Sequence, residues 1–153
     1  MPQQNVSLHE PYMRRCLELA QTAGRGGDTL VGALIVRGDQ ILVEAFEEVI
    51  AKRDISGHAE LIVVRLACRV LDSKDLTGCK LYTTAEPCFM CSYVIRQTLI
   101  SEVIIGAPVG EVGGLSSRYP ILRDADITKK WSAPPRIVRD VLRNECEALR
   151  RQS

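Results

Sequence analysis

Two short segments of this 153-residue chain carry the residue types that chemistry needs: His58-Ala59-Glu60 and Pro87-Cys88-Phe89-Met90-Cys91. Both lie where a loop or strand feeds the start of a helix. On a helix, Cys88 and Cys91 are three positions apart and share one face, so their sulfurs can grip one ion. The positive end of that helix and its unpaired N–H groups favour thiolates over thiols. Two thiolates and a neutral imidazole are a ligand set used by catalytic zinc, with the fourth position left open for water. Zinc lowers the pKa of such a water from about 16 toward roughly 7. A nearby carboxylate that does not bind the metal can then carry a proton from the water to a leaving nitrogen. Glu60, two residues from His58, is placed for that work.

Singly, each piece has a plainer reading. A lone Cys-x-x-Cys is as often a redox pair or half of a structural zinc site. A lone histidine at a helix start is usually a cap or a surface residue, and a first-turn glutamate is usually solvated. Together, in this order, they form the signature of zinc-dependent deaminases. The reading from another class is a structural-zinc or purely binding protein. It requires a fourth protein ligand, for which Cys68, Cys79 and His9 are the soft candidates. Position along their elements puts Cys68 and Cys79 toward the core, and the presence of Glu60 speaks for activity.

The elements that must position these residues follow from periodicity. Leu8, Tyr12, Cys16, Leu19, Ala20 and Ala23 have helical spacing, closed by Gly24, Gly26 and Gly27. Residues 30–36 form an apolar run suited to a strand buried on both faces. Gly38-Asp39 turns the chain into a second strand, 40–46. Residues 47–57 are charged and irregular and read as a loop. Helical spacing resumes at Ala59, Ile62, Val63, Leu66, Ala67 and Val70 and stops at Asp72-Ser73. Residues 81–84 are β-prone, Pro87 opens a helix to about Thr98, and 103–105 form the next strand. Residues 107–135 lack a period and read as a long surface connection of a length that usually serves a site. Residues 140–151 form a last helix with Val141, Leu142, Cys146 and Leu149 inward. The alternation argues an α/β sandwich around one central sheet.

Composition narrows the class. The length suits one domain, 1–153. With 46% hydrophobic and 25% charged residues, it is ordinary for a globular protein. A net charge of +1 implies no strong field toward nucleic acid or an anionic membrane. No apolar run reaches the about 18 residues of a membrane span. Met1-Pro2-Gln3-Gln4-Asn5 lacks the basic start and apolar stretch of a secretory signal. A cytoplasmic location is therefore expected, where six cysteines serve as thiols or metal ligands rather than disulfides.

Val31-Gly32-Ala33, His58-Ala59-Glu60, Thr84-Ala85-Glu86-Pro87-Cys88-Phe89-Met90-Cys91 and Ile105-Gly106-Ala107 resemble the cytidine-deaminase-like superfamily. Glu145-Cys146-Glu147-Ala148-Leu149 is similar as well. The likeness is greatest to the branch of tRNA adenosine deaminases, guanine deaminases and fungal-type cytosine deaminases. It implies a three-layer α/β/α sandwich with a mixed five-stranded sheet, a short last strand near 136–139, one zinc ion and a homodimer or larger assembly. It also implies hydrolytic attack on an amine-bearing ring carbon, with Glu60 protonating the adjacent ring nitrogen and then the departing ammonia. By the same resemblance, the backbone N–H groups of Ala59 and Cys88 hold the attacking water, and the Pro87 carbonyl accepts from the leaving amine. Gly32 and Ala33 are expected at the substrate.

Two departures concern the pocket rim. The family usually places an asparagine about 11 residues before the metal histidine, and this chain has Glu47 followed by Glu48. An ionised carboxylate only accepts hydrogen bonds. If Glu47 keeps that position, it reads donors on the substrate; if the loop has shifted, both glutamates face water. The usual Asp-Pro-Thr-Ala before His-Ala-Glu is Asp54-Ile55-Ser56-Gly57 here, without the proline that stiffens the loop.

A free, small, aminated heterocycle of nucleobase type is the expected substrate. The alternative is adenosine in tRNA, which calls for a basic footprint. Arg136, Arg139, Arg143, Arg150 and Arg151 cluster, but Glu145 and Glu147 interrupt them, so nucleic acid is not favoured. Phe89, Tyr93, Tyr119 and Trp131 are candidate stacking or lid residues, Trp131 foremost because its stretch is polar and irregular.

Overall fold

The computed structural model describes residues 6–128 and 130–153; the Met1 to Asn5 stretch considered above lies outside them. Five strands form one sheet in the order β2-β1-β3-β4-β5. They are β1 (Gly32–Arg37), β2 (Gln40–Phe46), β3 (Cys79–Ala85), β4 (Glu102–Ala107) and β5 (Arg136–Val138). β1 is antiparallel to both β2 and β3, whereas β3, β4 and β5 run parallel. The sheet is therefore mixed, as the resemblance implied.

Alternation along β1 sorts the two helical layers. Leu34 and Val36 face one side with Met13 and Cys16 of α1 (Glu10–Arg25) and Cys146 of α5 (Arg143–Arg150). Ala33 and Ile35 face the other, with Ala59, Val63 and Ala67 of α3 (Ala59–Leu71) and Ile95 of α4 (Phe89–Gln97). Both faces of a strand are thus covered, which is why residues 32–36 are uniformly apolar and buried. This is the expected three-layer sandwich. No described helix is long and apolar enough to cross a membrane.

Two stretches without a sequence period are ordered by buried charge. Inside the expected loop 47–57 stands a short helix, α2 (Val49–Lys52). The carboxylate of Asp28, only 4% exposed, accepts the N–H groups of Ile50 and Ala51 at 2.7 and 3.0 Å. A helix needs acceptors for its first N–H groups, and a residue over 20 positions away supplies them. In the long connection, the buried Arg96 guanidinium donates to the carbonyls of Ile121, Asp124 and Ser132. Backbone that lacks a ladder partner is satisfied by these side chains instead.

A candidate metal centre and its pocket

The loop after β3 and the N-terminus of α3 meet at the carboxyl ends of the parallel strands, where open α/β sheets place their sites. His58 caps α3 and Cys88 caps α4, both with extended backbone, while Cys91 lies one turn into α4. His58 Nδ1 is 3.4 Å from Cys88 Sγ and 3.6 Å from Cys91 Sγ. A tetrahedral zinc with ordinary Zn–S and Zn–N bonds separates such atoms by about 3.6 Å. The three ligand atoms lie within 4.8 Å of one another, and they are the metal-capable cluster found among the described residues. The donors fit a zinc ion without rearrangement. Cys79, buried in the core, Cys68, packed against that core from α3, and His9, bonded to the Tyr82 hydroxyl at 2.8 Å, all lie outside this cluster. The structural-zinc reading loses its requirement.

Protonation in the cluster follows from its contacts. The hydrogen bond from Cys91, helped by His58 and opposed by burial, holds the Cys88 thiol down at about 4. Cys91 is pushed up as donor to that thiolate and by burial. The Cys88 contact, against desolvation, lifts His58 to about 9. Glu60 is 4% exposed, and burial first, then the charge of Glu47, raises it to about 7. Its Oε1 meets the Thr83 hydroxyl at 2.9 Å, and its Oε2 lies 4.0 Å from Cys91 Sγ. Glu60 therefore turns one carboxyl oxygen toward the ligand cluster while Thr83 holds the other.

The pocket over this cluster is lined by Val31, Glu47, Glu60, Cys88, Val109 and Arg150, among others. Glu47 is half-buried and stands among the lining residues. One carboxylate oxygen, Oε1, accepts the N–H of Ala59 at 2.9 Å.

Several residues expected at the substrate are engaged elsewhere. The Ala59 N–H is taken by Glu47, so it is not free to hold a water. The Pro87 carbonyl accepts Gly114 N–H at 2.8 Å and the Ser92 hydroxyl at 3.2 Å; both lone pairs are used and none remains for a leaving amine. Gly32 packs against α1, where any Cβ would collide with the Cys16 carbonyl. Ala33 faces the α3 layer of the core. Val31, one residue earlier, is the one that lines the pocket. Trp131 sits outside α4, its ring under the Arg96 guanidinium at 4.9 Å and edge-on to Tyr93. Phe89 and Tyr119 meet edge-to-face beside a separate apolar depression.

Glu86 was given no role by sequence, although it stands inside the matching Thr84–Cys91 motif. It is 2% exposed, and its carboxylate accepts the N–H groups of Val109, Leu115 and Ser116 and the Ser116 hydroxyl. Gly113 passes so close that a Cβ there would overlap this carboxylate. Glu86 thereby folds the 109–116 segment over the metal pocket. Burial opposes its ionisation, but the hydrogen bonds from Ser116, Leu115 and Val109 outweigh it and hold the carboxyl below its usual range.

Comparison with known proteins gives this geometry its relatives. Residues 6–107 match the family model of the cytidine and deoxycytidylate deaminase zinc-binding region. The chain is 37% identical over 128 residues to the tRNA-specific adenosine deaminase of Aquifex aeolicus, covering 82% of this chain and 85% of the relative. A solved structure from a study of A-to-I editing by tRNA:A34 deaminases superposes with a TM-score of 0.83 at 25% identity, over 90% of this chain and 97% of that one. The guanine deaminase of Bacillus subtilis superposes with a TM-score of 0.63 at 35% identity, over 65% and 64% of the two chains. The expectation of a free nucleobase-like substrate is corrected by these relatives, since the 37% identical relative is a tRNA-specific adenosine deaminase and the tRNA:A34 deaminase structure superposes more closely than that guanine deaminase. Net charge misled because it averages the whole surface and says nothing of one pocket mouth.

Proposed function

From its membership of the cytidine and deoxycytidylate deaminase zinc-binding family, in which it is a zinc-dependent hydrolytic deaminase, we propose that this chain converts adenosine to inosine in transfer RNA. The observation that carries the reading is the 37% identity to a tRNA-specific adenosine deaminase across 85% of that protein's length.

His58, Cys88 and Cys91 hold the zinc, which supplies an acidified water when bound. Glu60 does the proton work: its Oε2 faces the ligand cluster while Thr83 anchors Oε1. It would accept a proton from the attacking water and deliver it to the ring nitrogen beside the amine-bearing carbon, then take the second proton from the newly added hydroxyl and pass it to the amino group, which leaves as ammonia. Glu47 orients the start of α3 through Ala59 and presents its remaining oxygen to the substrate. Glu86 keeps the 109–116 segment closed over the pocket, limiting bulk water.

The same reading includes a homodimer and a cytoplasmic location. α4 leaves Met90 and Tyr93 exposed, an apolar strip suited to a second copy, and all six cysteines are free, as a reducing compartment requires.

The test is direct. The zinc-loaded protein is incubated with unmodified tRNA, and inosine is read by nuclease digestion and mass spectrometry. Inosine at one anticodon position is expected. Ammonia release from free bases with no inosine in any tRNA would defeat the proposal.

A further inference from the structure

The five arginines near the C-terminus are unequal in the fold. Arg136 pairs with Glu102 at 3.2 Å, Arg139 with Asp140 at 4.0 Å, and Arg143 with both Asp140 and Glu147 at 3.2 and 2.8 Å. Arg150 and Arg151 form no ion pair among the described residues. Arg150 Nη1 donates to the Pro108 carbonyl at 3.3 Å. That bond takes one of five N–H donors and neutralises none of the charge.

Position adds to charge. Arg150 and Thr29 line the metal pocket. A second depression, lined by Thr29, Glu147, Arg150, Arg151 and Ser153, opens beside it. Thr29 and Arg150 are thus common to both and form the shared lip. Glu147 is held by Arg143, which offsets its charge. Helix C-termini repel anions through free carbonyls, but those of Glu147, Leu149 and Arg150 already accept the N–H groups of Arg151, Gln152 and Ser153.

We infer that Arg150, with Arg151 beside it, is a phosphodiester-binding subsite that grips the RNA backbone adjoining the base in the metal pocket. The inference rests on the RNA reading above. A base inserted in the pocket leaves its ribose and flanking phosphates at the mouth, where a guanidinium fork matches phosphate oxygens. The Pro108 contact restrains Arg150 beforehand, so less side-chain freedom is lost on binding. The exposed Thr29 hydroxyl offers a further donor to the backbone.

The test uses the zinc-loaded full chain and a stem–loop RNA with an unpaired loop adenosine. Binding is measured by fluorescence anisotropy across a salt series, and deamination is followed in parallel. Arg150→Ala should weaken binding about tenfold near 0.1 M salt and reduce the slope of log K against log salt by about one. Arg150→Lys should retain most of the slope. Arg139→Ala, which removes the same charge from the C-terminal cluster but lines neither depression and leaves Asp140 paired with Arg143, should change neither quantity. An unchanged slope in Arg150→Ala, with wild-type deamination intact, overturns the subsite alone. An equal loss in Arg139→Ala also overturns it, since general attraction would then account for the effect. A wild type that neither binds nor deaminates the RNA overturns the subsite and the RNA reading together.

Discussion

The backbone N–H of Ala59 donates to Glu47 Oε1 at 2.9 Å, tying the loop after β2 to the first residue of α3, next to the metal ligand His58. Ala59 is fully buried, so the N–H has no water to fall back on. Glu47→Ala should cost about 1–3 kcal/mol of unfolding free energy, the penalty of an unpaired buried donor. Glu47→Gln retains an acceptor and should cost less than half as much. Chemical denaturation of the three proteins measures this; equal stability of all three would show the contact to be dispensable.

Glu60→Ala should leave zinc content and fold intact, because Glu60 is not among the three ligands. Turnover of the RNA substrate should fall by about 10²–10⁴, the usual worth of a positioned proton carrier. Metal analysis and single-turnover kinetics read the two effects separately. Retention of near-native turnover would remove Glu60 from the chemistry.

Zinc binding should release about two protons per ion near neutral pH, one from His58 and one from Cys91. His58 is raised to about 9 and Cys91 lies above its ordinary value, while Cys88, at about 4, is already a thiolate. Both protons must leave before the groups can bind, so affinity rises with pH. About a hundredfold gain per pH unit is expected between pH 6 and 8. Calorimetry in buffers of different ionisation enthalpy counts the protons, and chelator competition gives the slope.

Glu86 links the pocket cover to acid stability. Its carboxyl titrates lower in the folded protein than its ordinary value of 4.5. The stabilisation is therefore complete above that ordinary value and is lost as pH falls through the folded one. Glu86→Gln has a single acceptor oxygen for three backbone N–H groups and should lose about 2–3 kcal/mol at neutral pH. It should also flatten the acid limb of the stability curve. Thermal unfolding from pH 7 down to pH 3 tests both; a parallel acid limb in the variant would exclude Glu86 as its source.

The metal centre was legible in the sequence because its ligands are local. His58 and Glu60 are two residues apart, Cys88 and Cys91 three, and both segments start helices whose apolar period is plain. The strands were legible for the same reason: β1 alternates between two apolar layers, so its residues from Gly32 to Val36 must be apolar. The 47–57 and 107–135 stretches were not. Their order comes from Asp28, Glu86 and Arg96, single buried charges that collect backbone groups up to 36 positions away. No periodicity records such a contact.

Residue types and short-range spacing alone determined that a zinc ion, a proton-carrying carboxylate and an α/β sandwich belong together here. Only the tertiary structure decided which groups line the pocket. It turned Val31 into the pocket in place of Gly32 and Ala33, spent the Pro87 carbonyl and the Ala59 N–H on internal bonds, and set Trp131 against Tyr93 and Arg96 of α4. A carbonyl or N–H has a fixed number of hydrogen bonds to make, and which partner fills them depends on segments distant in the chain.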